Sequence, residues 1–162
     1  MKDAPDRATT PACARIRIAD PLAQASQACL RSYFQELSAL FDGGFDPEQS
    51  VSANPDELVP PAGWFMLAWV GDKAVGCGGI KLSADLLTAE IKRMWVAPSM
   101  RGHGIARQLL HELEARAMES GVRHIRLDTH ASLQPARALY ARSGYTEIPA
   151  YNQNPYAHHW FE

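Results

Sequence analysis

The sequence has few cysteines, no long apolar run and no large excess of charge of one sign. Its three cysteines, Cys13, Cys29 and Cys77, are odd in number and match no CxxC or zinc-ligand spacing, which argues against a disulfide scaffold and predicts a reduced, cytoplasmic protein. The longest apolar run, over 64–70, is far shorter than the roughly 18 residues of a membrane span, and the N-terminus has no apolar signal segment. A net charge of −2 argues against a nucleic-acid or membrane-surface partner.

The composition and length of the chain suit one globular domain. With 162 residues and a hydrophobic fraction of 46%, we expect a loose tail over 1–13 and a single domain over 14–162. Apolar periodicity and turn residues predict the order β-α-loop-β-β-β-α-β-α-β, an α/β domain with a mixed sheet. The predicted caps of the first and last helices are Asp20 and Ser132. The predicted strands cover 15–19, 64–70, 73–82, 86–96, 125–128 and a segment near the C-terminus, and the later helices cover 104–120 and 133–142.

The loop between the strand that ends near Val96 and the following helix has the residues of an anion site. Gly102 and Gly104 allow a tight backbone bend, and the first N–H groups of the helix then lack partners within it. Their partial positive charge suits a phosphate; Arg101 adds a cation, and the small Ala106 permits close approach. The loop matches neither GxxxxGK[ST] nor GxGxxG, which argues against a P-loop or Rossmann site.

Two motifs in this half of the chain resemble the GCN5-related N-acetyltransferase (GNAT) family. Arg101-x-x-Gly104-x-Ala106 resembles the family's [Q/R]-x-x-G-x-[G/A], preceded by Val96-x-Pro98 and followed by Leu109-Leu110. The run from Ala136 through Leu139-Tyr140 to Gly144-Tyr145 resembles A-x-x-L-Y-x-x-x-G-[F/Y]. The resemblance is strong over 80–147. It implies a mixed, mostly antiparallel sheet flanked by helices, with two central parallel strands that splay apart around acetyl-CoA.

The resemblance also implies where the coenzyme binds. The pantetheine amides pair with the backbone around Met94 and Val96, and a backbone N–H near Trp95 or Val96 stabilises the oxyanion. The pyrophosphate lies on the amides of Arg101, Gly102, His103, Gly104, Ile105 and Ala106. We expect acetyl-CoA as co-substrate and no metal, since the histidines have no metal-ligand spacing. Where family members often place an asparagine on the coenzyme, this chain has His130 or Ser132.

Two residues are candidates for proton transfer. Tyr140 matches the family tyrosine near the coenzyme sulfur, and a phenol can protonate the leaving thiolate. Glu90 is the candidate base, because alternation predicts that residues 90, 92, 94 and 96 share one strand face. An ordered water chain is the alternative base, and a salt bridge is the alternative role for Glu90.

The acceptor side has weaker signals. The candidate residues are Tyr33, Phe34, Phe41, Phe45, Tyr151 and Asn152. Because no dense acidic groove is present, a primary amine of a small molecule or amino-acid-like acceptor is favoured, attacked directly in a ternary complex. The alternatives are a protein or peptide N-acetyltransferase and a non-catalytic acyl-CoA-binding domain. The family resemblance leaves a homodimer open.

Overall fold

The computed structural model describes residues 13–50 and 53–162, and the predicted tail lies almost wholly outside them. The strands are β1 Arg15–Ile18, β2 Gly63–Val70, β3 Lys73–Leu82, β4 Thr88–Val96, β5 His124–Thr129, β6 Glu147–Ile148 and β7 His159–Phe161. The helices are α1 Gln24–Leu40, α2 Ile105–Glu119 and α3 Gln134–Arg142, with short 3-10 turns at Pro55–Leu58 and Pro98–Met100. None of the helices in the described ranges is both long enough and apolar enough to span a membrane.

The strands form one seven-stranded sheet in the order β1-β2-β3-β4-β5-β7-β6. Every neighbouring pair is antiparallel except β4 and β5, which confirms the predicted mixed, mostly antiparallel sheet. Apolar side chains on the two faces form separate clusters, one under α2 around Leu109 and Leu113 and the other under α1 around Leu58 and Phe65. The sheet is therefore buried on both faces and holds the ends of β4 and β5 in place.

The two parallel strands separate soon after they meet. They pair only over Thr88–Glu90 and His124–Arg126. Beyond that point β5 pairs with β7, from Leu127 to Thr129, while β4 continues alongside β3 alone. The predicted splay of the central strands is confirmed, and it leaves one edge of β4 facing a gap.

A β-bulge in β4 changes which side chains face this gap. Gly79 pairs with Lys92 and Cys77 pairs with Trp95, so that Gly78 faces two residues, and Arg93 has a positive φ of 57°. Because an extra residue reverses the alternation, the prediction that residues 90, 92, 94 and 96 share a face is wrong. Residues 90 and 92 face the α1 side, whereas residues 94 and 96 face α2.

Several predicted element boundaries also differ. Asp20 does not cap α1; its carboxylate accepts the N–H of Leu22 at 2.8 Å in a turn, and the helix begins at Gln24. Ser132 does not cap α3, because the helix begins at Gln134 and Leu133 occupies the cap position; the N–H of Ser132 donates to the imidazole of His130 at 3.0 Å. β4 begins at Thr88 after a turn closed by Asp85, and the C-terminal region contributes two strands rather than one. At Asp20 and Asp85, local bonds between the side chain and the backbone accompany the shifted boundary.

Candidate active site

The gap between β4 and β5 opens into a cleft of about 960 Å³. Its walls are formed by the end of β4, the loop after it, the start of α2, one face of α3 and the C-terminal half of α1. Of the residues predicted to bind coenzyme, those that line it are Met94, Trp95, Val96, Arg101, Gly102, Gly104, Ile105 and Ala106. His103 does not line the cleft; its exposed ring lies 3.2 Å from the carbonyl oxygen of Met100.

The glycine loop has the backbone geometry that its sequence predicts. Gly102 and Gly104 have φ of 82° and 80°, in the left-handed region that favours glycine. The first bond to Gly104 from within α2 comes from the N–H of Gln108, at 3.1 Å. The N–H groups of residues 105–107 therefore lack intrahelical partners at the wall of the cleft, where the helix dipole adds positive potential.

Arg101 makes contacts that the sequence did not indicate. Its guanidinium binds both carboxylate oxygens of Glu36 on α1 at 2.7 Å and donates to the carbonyl of Val96 at 2.9 Å. Glu36 also accepts the indole N–H of Trp95 at 2.8 Å. Arg101 thus ties the loop to α1 at the rim of the cleft, while two other arginines, Arg107 and Arg142, also line it.

A smaller cavity, of about 90 Å³, adjoins the cleft. Both spaces are lined by Tyr33, Leu37, Met94, Leu133, Ala136 and Tyr140, so they meet at these side chains. The remaining wall of the smaller cavity combines aromatic rings with polar side chains, among them the charged and amide groups of Lys92, Arg93, Asp128 and Asn154. The arrangement is therefore a long cleft and a small cavity that share a junction.

Tyr140 lies at this junction and is 5% exposed. Burial raises the pKa of its hydroxyl above the ordinary value, and the nearby carboxylate of Asp128 raises it further. Burial likewise raises the pKa of Tyr33, with a smaller contribution from Tyr140. Both phenols are therefore neutral and able to donate a hydrogen bond at physiological pH.

Glu90 does not line either cavity. Its carboxylate binds the ammonium of Lys92 at 2.9 Å and accepts the hydroxyl of Tyr151 at 3.4 Å. Lys92 lines the smaller cavity and has an exposed side-chain fraction of only 8%. The carboxylate that does line this cavity is Asp128, at the C-terminal end of β5.

Comparison with known proteins agrees with this architecture. The model of the Acetyltransferase (GNAT) family matches residues 29–145, which is most of the chain. This protein belongs to the GNAT family. The resemblance predicted from the two motifs is confirmed.

Relatives of this GNAT protein come from several bacteria. The uncharacterized N-acetyltransferase YsnE of Bacillus subtilis is 35% identical over 101 residues, 61% of this chain and just under two thirds (66%) of that protein. IAA acetyltransferase of Azospirillum brasilense is 29% identical over 113 residues, 70% of this chain and 74% of that protein. The crystal structure of a GNAT-family acetyltransferase from Staphylococcus aureus Mu50 has the same fold, with a TM-score of 0.73 at 17% identity over 91% of this chain and 97% of that one.

Four of the six residues suggested for the acceptor side of this GNAT protein lie together. Tyr33, Phe34, Phe41 and Phe45 line the smaller cavity, whereas Tyr151 and Asn152 do not. Asp128 and Asn154, which also line it, were not among the suggested residues. Their signal was the position of Asp128 at the carboxyl end of a parallel strand, where open α/β sheets bind ligands. The two candidate positions for the asparagine that family members often have lie in different places: His130 lines the smaller cavity and Ser132 lines the cleft.

Proposed function

We propose that this protein transfers the acetyl group of acetyl-CoA to the primary amine of a small molecule, by direct attack in a ternary complex. The observation that carries the proposal is the junction at Tyr140, a buried phenol that lines both the long cleft and the small pocket. A two-substrate transfer needs such a junction, because the acyl carbon and the nucleophile must come within about 3–3.5 Å of each other.

The cleft has groups that fit the parts of the coenzyme. The free N–H groups of residues 105–107 suit the pyrophosphate, with Arg107 and Arg142 as flanking cations. The β4 edge that faces the splay, around Met94 and Val96, offers backbone groups to the pantetheine amides. Arg101 would support the loop through Glu36.

In the proposed reaction the acceptor first loses one proton, since an ammonium has no lone pair. The neutral nitrogen then adds to the thioester carbonyl carbon, and the C–S bond breaks as the C–N bond persists. The Tyr140 hydroxyl gives its proton to the departing thiolate, and the surplus proton of the new amide nitrogen restores the tyrosine through solvent. The products are the acetamide, free CoA and one proton.

The test is release of free thiol from acetyl-CoA in the presence of amines, in wild type and in Tyr140→Phe. Loss of a general acid typically costs about 10²- to 10⁴-fold in turnover, whereas the affinity for CoA should stay within about twofold. Tyr145→Phe is a matched control, because that hydroxyl donates to Glu114 at 2.8 Å outside both cavities. Unchanged turnover in Tyr140→Phe would contradict its assigned role, and absence of CoA binding in wild type would contradict the function itself.

A further inference from the structure

The smaller cavity has a wall of stacked rings on the side away from Tyr140. Phe41 stacks on His130 at 3.9 Å and on Tyr156 at 5.7 Å between ring centroids, and Phe45 lies 4.8 Å from Tyr156. Phe34, which belongs to α1, stacks on Phe45 at 5.6 Å between ring centroids and continues the wall. Such a wall packs well against a flat apolar group, and ring faces also attract a cation.

The same cavity is also lined by a fixed carboxylate. Asp128 accepts an amide hydrogen of Asn152 at 2.6 Å and one of Asn154 at 3.2 Å. Asn152 is itself held by the indole N–H of Trp160, which donates to its carbonyl at 2.9 Å. These neutral donors orient the carboxylate without neutralising its charge, so Asp128 can still attract an ammonium.

The two cationic side chains of the same cavity are engaged elsewhere. The ammonium of Lys92 binds Glu90 at 2.9 Å. The guanidinium of Arg93 donates to the carbonyl of Ala53 at 2.8 Å and lies 5.2 Å above the ring of Phe34. A carboxylate on the acceptor would have to compete with these contacts, whereas an ammonium meets Asp128 directly.

We propose that the acceptor is a compact primary amine that carries one small flat apolar group, with its ammonium bound by Asp128 and its ring packed on the wall of Phe41, Phe45 and Tyr156. The inference rests on the proposed acetyltransferase function and specifies its substrate class. The cavity of about 90 Å³ is smaller than the 150 Å³ apolar cavity that holds one benzene molecule, so the acceptor has to be compact and must extend into the junction with the cleft. A polyamine chain or a peptide would extend beyond this space and would leave its further charges without a second carboxylate among the described lining residues.

The first experiment compares four acceptors in the thiol-release assay: 2-phenylethylamine, phenylalanine, spermidine and a lysine-containing peptide. Phenylalanine differs from 2-phenylethylamine by one carboxylate, so this pair isolates the effect of that charge. We expect kcat/KM to be highest for 2-phenylethylamine. A higher kcat/KM for any of the other three would overturn the assignment of substrate class while leaving the acetyltransferase function intact.

The second experiment measures binding without turnover. Calorimetry of 2-phenylethylamine with the protein–CoA complex should detect binding in wild type, and Asp128→Asn should raise Kd about 10- to 100-fold, the range for a lost charge-assisted hydrogen bond. Asp72→Asn, in the exposed β2–β3 turn, is the matched control and should leave Kd unchanged. Equal Kd values in Asp128→Asn and wild type, or no binding by wild type, would overturn the proposal.

A second variant tests the ring wall and does not depend on the folding of Asp128→Asn. Phe45→Leu should raise the Kd of 2-phenylethylamine about 2- to 10-fold, the worth of an aromatic contact, and should leave the Kd of propylamine unchanged. An equal effect on both amines would contradict ring recognition. Failure of the proposed function has a different signature, since the wild-type protein would then bind no CoA and acetylate no amine.

Discussion

Substitutions of Gly104 can separate two effects in the loop before α2: the effect of a side chain on backbone stability and the effect of a charge on CoA affinity. Gly104 caps α2 with φ 80° and ψ 11°, and a Cβ built there would meet no atom within 4 Å. Gly104→Gln and Gly104→Glu therefore cost only the left-handed backbone penalty, about 1–2 kcal/mol of unfolding free energy. Because an acidic group at a helix N-terminus gains about 0.3–1 kcal/mol, the Glu variant should be at least as stable as the Gln variant.

CoA affinity should change in the opposite order. Gln and Glu have the same shape, so the difference between them reports the charge beside the pyrophosphate. A carboxylate about 6 Å from a phosphate, at an effective dielectric constant near 20, is repelled by about 3 kcal/mol. Because solvent screens this exposed position, we expect a loss of binding free energy between about 1 kcal/mol and that upper limit of about 3 kcal/mol. Gly104→Glu should therefore bind CoA about 5- to 150-fold more weakly than Gly104→Gln.

Calorimetry of CoA binding and urea denaturation measure the two effects separately. Gly121 is the matched control, since it follows the other end of α2 with φ 89° and equally open space. Gly121→Gln and Gly121→Glu should show a comparable backbone cost and no difference in CoA affinity. Equal CoA affinities for Gly104→Gln and Gly104→Glu, in folded proteins, would refute the location of the pyrophosphate at the start of α2.

Two further predictions concern buried ionisable groups. Glu90→Gln removes the carboxylate that binds the buried Lys92 ammonium. We expect the free energy of unfolding, measured by urea denaturation, to fall by about 1–3 kcal/mol and kcat to fall less than about tenfold. A fall in kcat of about 10²- to 10⁴-fold at unchanged stability would instead support the base role predicted from sequence. Because burial raises the pKa of Tyr33 and Tyr140, their contribution to stability is complete below the unfolded-state pKa near 10 and is lost as pH rises toward the folded-state values. Together these two residues should account for up to about 2.7 kcal/mol per pH unit of the wild-type loss above pH 10 in alkaline denaturation, to which the raised pKa values of Tyr145 and Tyr151 also contribute. A Tyr33→Phe/Tyr140→Phe double variant should show a correspondingly shallower loss.

Much of the fold was predictable because its signals are local. The apolar alternation of β2 and β3 and the apolar stripe of α2 depend on residues within one element, and the predicted elements are present. Errors occurred where a side chain bonded to nearby backbone, as at Asp20 and Asp85. Errors also occurred where an extra residue interrupted the two-residue alternation of a strand, as at Arg93 in β4. A bulge moves the later side chains to the other face of the sheet but leaves the apolar composition of the strand unchanged.

The smaller cavity was harder to predict because its contacts join distant parts of the chain. Two asparagines donate to Asp128: Asn152 lies 24 residues away from it in the sequence, and Asn154 lies 26 residues away. Glu36, which binds Arg101, is separated from it by 65 residues. No spacing rule connects such positions. The strand pattern therefore suggested Glu90 as the functional carboxylate and did not suggest Asp128.

The sequence by itself determined the family, the order of the elements and the glycine loop, since each depends on residue types at short, fixed spacing. Only the tertiary structure decided which carboxylate lines the small cavity, which arginine is tied to α1 and how the aromatic wall stacks. The physical reason is that these features depend on the β4 bulge and on the splay of two strands, which set the directions of side chains from several separate segments. Those directions follow from packing on both faces of the sheet, and no single segment encodes them.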